Sequence, residues 1–220
     1  MGVSVLVMAK VPRPGAVKTR LAPLLGAEGC AALQAALIGV VARWAVAVAP
    51  RGGAYLAYGP DGAGEEELRP HVPEGVRLFP DGRGDLGDRL AGATARVLGE
   101  RGEPLLVVGT DMPMLTLAHA REAEVVLRGG ADAVFGPALD GGYWLVGLAR
   151  PAPELFELGA AWGGPQVLQR SLELAAAAGL RAELLGTERD LDDAADARAL
   201  LVQERLPPEI AAALAPAAAG

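Results

Sequence analysis

A chain of 220 residues, 51 % of them hydrophobic, can bury a sizeable core and suits one α/β domain or at most two small ones. Its formal net charge of −7 and sequence pI of about 4.9 exclude a general nucleic-acid binder, which needs a basic face, so a local basic segment points to a small anion. The one cysteine, Cys30, excludes an intrachain disulfide and fits the cytoplasm, and neither a secretory signal nor an apolar run of the ~18–20 residues that span a membrane is visible.

The first predicted element is an apolar run, Val3–Met8, read as a buried strand. It feeds a basic loop, Ala9–Leu21, which carries Lys10, Arg13, Lys18 and Arg20. The chain's only lysines, Lys10 and Lys18, both lie here, and every other basic residue is arginine. Random assignment of lysine among the 20 basic positions places both in this loop about 3 % of the time. An ammonium is a compact point charge on a flexible stem, suited to phosphate oxygens. A strand followed by a basic loop is also a common phosphate-site layout. The alternative is a solvated Pro-rich turn that happens to be basic.

A helix is expected over Ala27–Ala47, with Ala31, Leu33, Leu37, Val40, Val41 and Trp44 on its apolar side; Cys30 reads as part of that core. Arg51-Gly52-Gly53 breaks the chain before a strand at Ala54–Tyr58, and Gly59–Gly62 is a turn. Val76–Phe79 is a short strand. Pro80–Arg89 is rich in Gly and Asp and opens a helix, Leu86–Arg101. Glycines admit close backbone approach and helix N-termini favour anions, so Gly84, Asp85 and Gly87 are candidate nucleotide contacts, while Arg83 and Arg89 read as solvated charges, with phosphate contact the alternative for either. Pro104–Gly109 is the clearest central strand. Thr116–Leu127 is helical, Asp132–Phe135 and Tyr143–Leu148 are strands, Gly164–Ala178 is a helix, Ala182–Leu185 a strand and Asp192–Glu204 a closing helix. This alternation predicts a three-layer α/β/α fold on a mostly parallel sheet. One domain over 1–206 is expected, then an Ala/Pro-rich tail over 207–220 that frays after one turn.

Ligands of parallel sheets bind outside the C-terminal ends of strands. The central strand ends in Gly109-Thr110-Asp111-Met112-Pro113, so Asp111 is the first candidate metal ligand. Mg²⁺ takes one or two carboxylates and completes its shell with phosphate oxygens and water. The alternative makes Asp111 the cap of a helix beginning near Pro113. Asp190 and Asp192, after the last strand, either complete the metal shell or, with Asp193, cap the closing helix. Asp140-Gly141-Gly142 is either a plain hairpin turn or a substrate-facing segment whose glycines let main-chain groups reach the ligand, with Asp140 at its edge. Trp162, in Phe156-X5-Trp162-Gly163-Gly164, is either an acceptor-side wall or core. His71 and His119 have neither triad nor zinc spacing.

Taken in order, these segments resemble a known bacterial family over about residues 4–200. The matching pieces are Ala-Lys-Val-Pro-Arg-Pro-Gly-Ala-Val-Lys-Thr-Arg-Leu at 9–21, Gly-Asp-Leu-Gly-Asp-Arg-Leu at 84–90, Gly-Thr-Asp-Met-Pro at 109–113, Gly-Pro-Ala-Leu-Asp-Gly-Gly-Tyr-Trp-Leu-Val-Gly-Leu at 136–148 and Asp-Leu-Asp-Asp-Ala-Ala-Asp at 190–196. The chain resembles the "transferase 1" family associated with radical-SAM and selenium-domain proteins, a glycosyltransferase-like group. That family is similar to 2-phospholactate guanylyltransferases and, more distantly, to molybdenum-cofactor guanylyltransferases. The resemblance implies the nucleotide-diphospho-sugar transferase fold, which is GT-A-like and Rossmann-like. It also implies nucleotide phosphates at Lys10, Lys18 and Arg20, a Mg²⁺ or Mn²⁺ ion at Asp111, and a second metal or ribose contact at Asp190 or Asp192. Two positions depart from the family pattern: Asp193-Ala194-Ala195 replaces Thr or Ser with Pro, and Met112 replaces a polar residue or Cys.

Three functions fit these residues. In nucleotidyl transfer, an acceptor phosphate attacks the α-phosphorus of an NTP and pyrophosphate leaves, with Lys10, Lys18, Arg20 and a Mg²⁺ held by Asp111 stabilising the charge. In glycosyl transfer from an NDP-sugar, the metal holds the diphosphate and Asp140 or another carboxylate acts as base toward an acceptor hydroxyl. The third is a nucleotide-binding module without turnover. The expected partners are a small-molecule nucleotide and a small acceptor, with no nucleic acid and no membrane; no feature of the sequence speaks to oligomeric state.

Overall fold

Strand β1 (Ser4–Lys10) turns Val5 and Val7 to one face of a sheet and Leu6 to the other, and both faces are covered. The computed structural model describes residues 2–218, and side-chain surroundings as far as 215. β1 pairs in parallel with β2 (Ala54–Gly59) on one side and β4 (Leu105–Val108) on the other. β2 and β4 are buried along their whole length, as continuous apolar runs require when helices cover both faces. The remaining strands are β3 (Val76–Pro80), β5 (Ala133–Pro137), β6 (Tyr143–Leu148) and β7 (Ala182–Leu184). The sheet order is β3-β2-β1-β4-β6-β5-β7. Only β6 is reversed, running antiparallel to both β4 and β5. The C-terminal ends of six strands and the N-terminal end of β6 therefore share one edge of the sheet.

On one face, α1 (Ala22–Val48) and α3 (Leu117–Arg128) cover a core that includes Val5, Val7, Ile38, Leu56, Val108 and Leu127. On the other, α2 (Leu86–Arg101) and α4 (Val167–Ala177) cover Leu6, Tyr55, Leu90, Val107 and Phe135. These are the three layers that the alternating pattern predicts. α1 is two helical pieces meeting at Gly26, whose φ of 69° and ψ of 173° are not helical. Its longer piece is the helix that periodicity predicts. By length and composition α1 is apolar enough to cross a membrane, which corrects the expectation that no stretch reaches that length. The helix is apolar nearly all round because it packs on the sheet, on α3 and on the last helix at once.

α5 (Ala194–Leu201) and α6 (Pro208–Ala218) close the chain. Ile210 and Leu214 of α6 are fully buried in a third cluster with Leu33, Leu37 and Leu191. The segment read as a fraying tail is thus helical over the described residues. Alanine favours helix, and two aliphatic side chains one turn apart give it a face to bury.

Candidate functional site

The order β3-β2-β1-β4 reverses direction at β1, so a crevice opens between the ends of β1 and β4. A cleft of about 570 Å³ lies there. It is reached by Lys10 at the end of β1, by Lys18 and Arg20 from the loop after it, by Asp111 after β4, by Asp140 and Gly142 before β6, and by Asp190 and Asp192 after β7. The 138–142 turn follows the C-terminal end of β5, which lies on this edge, and its short span makes β6 run back antiparallel.

Lys18 sits at the centre. Among the described residues it is the one non-glycine residue with φ in the left-handed region, at φ 48° and ψ 38°. That backbone costs about 1–2 kcal/mol. It is held by its carbonyl, which accepts the Leu21 N–H at 2.9 Å and the Cys30 thiol at 3.2 Å. Cys30 is thus a buried packing residue with a local donor role, and burial pushes its thiol pKa up. The Lys18 side chain is only 5 % exposed. Its Nζ lies 2.8 Å from Asp111 Oδ1, 2.5 Å from the Leu191 carbonyl and 3.7 Å from Asp192 Oδ1. Lys18 and Asp111, both singled out from the sequence, are thus in direct contact.

Asp111 is further fixed by Thr110, whose hydroxyl donates to Asp111 Oδ1 at 3.1 Å. Gln34, buried in α1, donates to Thr110 Oγ1 at 3.2 Å and to the Lys10 carbonyl at 3.1 Å. Sequence reasoning missed Gln34; its signal was one amide inside an otherwise apolar stretch. Asp111 caps no helix, because α3 begins at Leu117 with Thr116 as its cap.

The second acidic group is Asp140, Asp190 and Asp192, with one carboxylate oxygen from each within 4.8 Å of the others. Burial pushes Asp190 up to about 6, and the charges of Asp140, Asp192 and Asp196 add to the shift. Burial also raises Asp192; Lys18 and Arg20 oppose the rise, and Asp111 and Asp140 reinforce it. Like charges gathered in a half-buried place favour a bound cation. Arg20, mostly exposed, reaches Asp192 Oδ2 at 3.1 Å. The cap of α5 is Asp193, whose Oδ1 accepts from the Ala195 and Asp196 N–H groups, so Asp192 is left facing the cleft.

Several predicted contacts lie elsewhere. Arg13 points away from the cleft and grips Glu67 through Nε and Nη2, both at 2.6 Å; this bond holds the Glu67 carboxyl at about 2. Asp85 and Asp88 cap α2 reciprocally, each carboxylate accepting the other's backbone N–H, and Gly84 beside them has φ +96°. At Gly87 a Cβ would stand 2.2 Å from the Phe156 carbonyl, and at Gly141, with φ +91°, 2.1 Å from the Pro165 carbonyl. Gly87 and Gly141 let loops pack on one another, and neither they nor Gly84 line the cleft. Arg89, read as solvated, does line the cleft and pairs with buried Asp81 at 3.0 Å. Trp162 forms part of the cleft wall and meets Tyr143 edge-on at 6.5 Å, whereas Phe156 is core. His119 lies outside the cleft against Trp144 and Glu188.

The fold is that of nucleotide-diphospho-sugar transferases. A protein from Desulfovibrio desulfuricans G20 provisionally assigned as such a transferase superposes with a TM-score of 0.85 at 26 % identity, over 100 % of this chain and 96 % of that one. A cytidylyltransferase from Leptospira borgpetersenii superposes at 0.56 and 12 % identity, covering 95 % of this chain and 90 % of its own. A CMP:2-keto-3-deoxy-manno-octonic acid synthetase complexed with CTP does so at 0.52 and 15 %, covering 93 % and 100 %. The last two share the fold alone. No curated protein matches the chain by sequence. Residues 41–164, from within α1 through the loop that carries Trp162, match a family profile, and on that match the chain belongs to the family described as "Uncharacterized protein conserved in bacteria (DUF2064)".

Proposed function

We propose that this chain is a nucleotidyltransferase that moves a nucleoside monophosphate from an NTP to a small phosphorylated acceptor. The observation that carries this reading is the meeting of Lys10, Lys18 and Arg20 with Asp111, Asp140, Asp190 and Asp192 at the mouth of one cleft. Cationic and anionic side chains interleaved around one space suit a polyphosphate accompanied by a divalent cation. The carboxylates of Asp140, Asp190 and Asp192 are the hard oxygen donors that Mg²⁺ or Mn²⁺ takes, with Asp111 beside them. A divalent cation held there neutralises charge on the phosphates.

The chain's own residues would then act by position and charge. Lys10, exposed at the end of β1, and Arg20, on the loop after it, are placed to bind phosphate oxygens. The acceptor phosphate would enter past Trp162 and Gly164. One of its oxygens bonds to the α-phosphorus, the bond to the bridging oxygen breaks, and pyrophosphate leaves. A phosphate acceptor is already anionic, so no carboxylate has to serve as base.

That point separates this reading from glycosyl transfer, which requires a free carboxylate near the acceptor hydroxyl. Asp140, the residue suited to that role, accepts the Gly142 N–H at 2.8 Å and sits within the acidic group. The test is product analysis. The full-length protein with Mg²⁺ is offered each NTP and a set of NDP-sugars, with phosphorylated and hydroxyl acceptors. Pyrophosphate release dependent on a phosphorylated acceptor is expected; release of NDP from a nucleotide sugar would replace this reading with glycosyl transfer.

A further inference from the structure

The surroundings of the Lys18 ammonium match those of a bound metal ion. An ammonium has three N–H donors, and around Lys18 Nζ stand the Asp111 carboxylate, the Leu191 carbonyl and, at 3.7 Å, the Asp192 carboxylate. Two carboxylates and a backbone carbonyl form the oxygen set that hard divalent cations favour. The backbone keeps the two acidic residues side by side: the Leu191 N–H donates to the Asp111 carbonyl at 2.7 Å, and the Asp111 carboxylate also accepts the Thr110 hydroxyl. With its side chain 5 % exposed, Lys18 cannot at once hold this cage and reach a phosphate in open solvent.

We infer that Lys18 is a built-in counter-ion that a divalent cation displaces, so that cation and nucleotide load by exchange. In the metal-free chain the ammonium satisfies Asp111 and Asp192 and keeps the acidic wall from repelling itself apart. When a divalent cation takes these carboxylates, the ammonium is released toward the cleft and meets the polyphosphate. No covalent bond changes; one cation replaces another on two carboxylates. This rests on the reading of the cleft as a cation and nucleotide site. It has a consequence that a simple phosphate-binding lysine lacks: Lys18 opposes binding of the metal alone and favours binding of metal with nucleotide.

The test uses the full chain and Mn²⁺, with free Mn²⁺ read by electron paramagnetic resonance. In Lys18→Met and Lys18→Gln, Mn²⁺ alone should bind about tenfold more tightly than in the wild type, the order expected for removing one nearby charge. A non-hydrolysable NTP analogue added with Mn²⁺ should bind about tenfold more weakly. Equal or weaker Mn²⁺ binding by the folded variants overturns the exchange. No Mn²⁺ binding by any form, with or without nucleotide, overturns the cation site itself and the exchange with it. A second measurement needs no variant. The chain's only lysines are Lys10, which is exposed, and Lys18, which is not. Acylation followed by mass spectrometry should show Lys18 labelling rise several-fold on adding Mn²⁺ alone, with Lys10 unchanged. Constant Lys18 labelling at saturating Mn²⁺ contradicts the release.

Discussion

Gln34 Nε2 donates to Thr110 Oγ1 at 3.2 Å, and Thr110 in turn donates to Asp111. One buried amide in the middle of α1 thereby reaches the carboxylate at the end of β4. Gln34 also holds the Lys10 carbonyl, so it ties together the two strand ends that flank the crevice. Gln34→Leu keeps the volume and removes both donations. It should cost about 1–3 kcal/mol of stability, measured by urea unfolding. Mn²⁺ binding should weaken in the same variant under conditions where it remains folded.

The pH dependence follows from Asp190. Its carboxyl titrates at about 6 in the folded chain, against 3.8 for the ordinary group. Between these values the folded state binds more protons than the unfolded state, so stability falls as pH rises through that window. A cation needs the ionised form, so its binding should release a proton and weaken as pH falls through about 6. Asp190→Asn should flatten the stability slope and weaken cation binding at neutral pH. Urea unfolding and Mn²⁺ titration at a series of pH values check both.

Arg13 belongs to the basic loop in sequence but to the 62–67 segment in space, where it bonds Glu67 and the Gly62 carbonyl. Arg13→Ala should leave nucleotide affinity within about twofold of the wild type, because a surface ion pair away from the ligand contributes little. Arg20→Ala, on the cleft, should weaken it several-fold. Equilibrium binding of a labelled NTP analogue compares them.

Gly87→Ala places a Cβ against the Phe156 carbonyl at 2.2 Å and near Trp162 Nε1 at 3.1 Å. Backbone has to shift, at a cost of about 1–3 kcal/mol. The displaced segment carries Trp162, so acceptor KM should rise more than nucleotide Kd. Thermal unfolding and steady-state kinetics separate the effects.

The fold was legible because its signals are local. Leu-Leu-Val-Val with turn residues around it reads as a buried strand, and Asp111 follows from being next. The short Asp-Gly link before Tyr143–Leu148 already implied an antiparallel hairpin with the preceding strand; what the sequence did not show is that β6 also pairs with β4 and that Asp140 thereby meets Asp190 and Asp192. The caps also needed coordinates: two aspartates in a row, Asp192 and Asp193, compete for one helix end, and only backbone geometry assigns Asp193 to it. Gly84, Asp85 and Gly87 have the composition of a ligand loop, but that composition equally serves a capped helix under close-packed loops. Arg89 looked solvated because its partner Asp81 is a loop residue whose burial depends on how β2 and β3 end side by side.

The most direct test of the account is the position of a metal. Crystals grown with Mn²⁺ and a non-hydrolysable NTP should show an anomalous peak bound by carboxylates among Asp111, Asp140, Asp190 and Asp192, with the phosphates toward Lys10 and Arg20. A nucleotide bound outside this cleft, or one bound within it with no metal against these carboxylates, would contradict it.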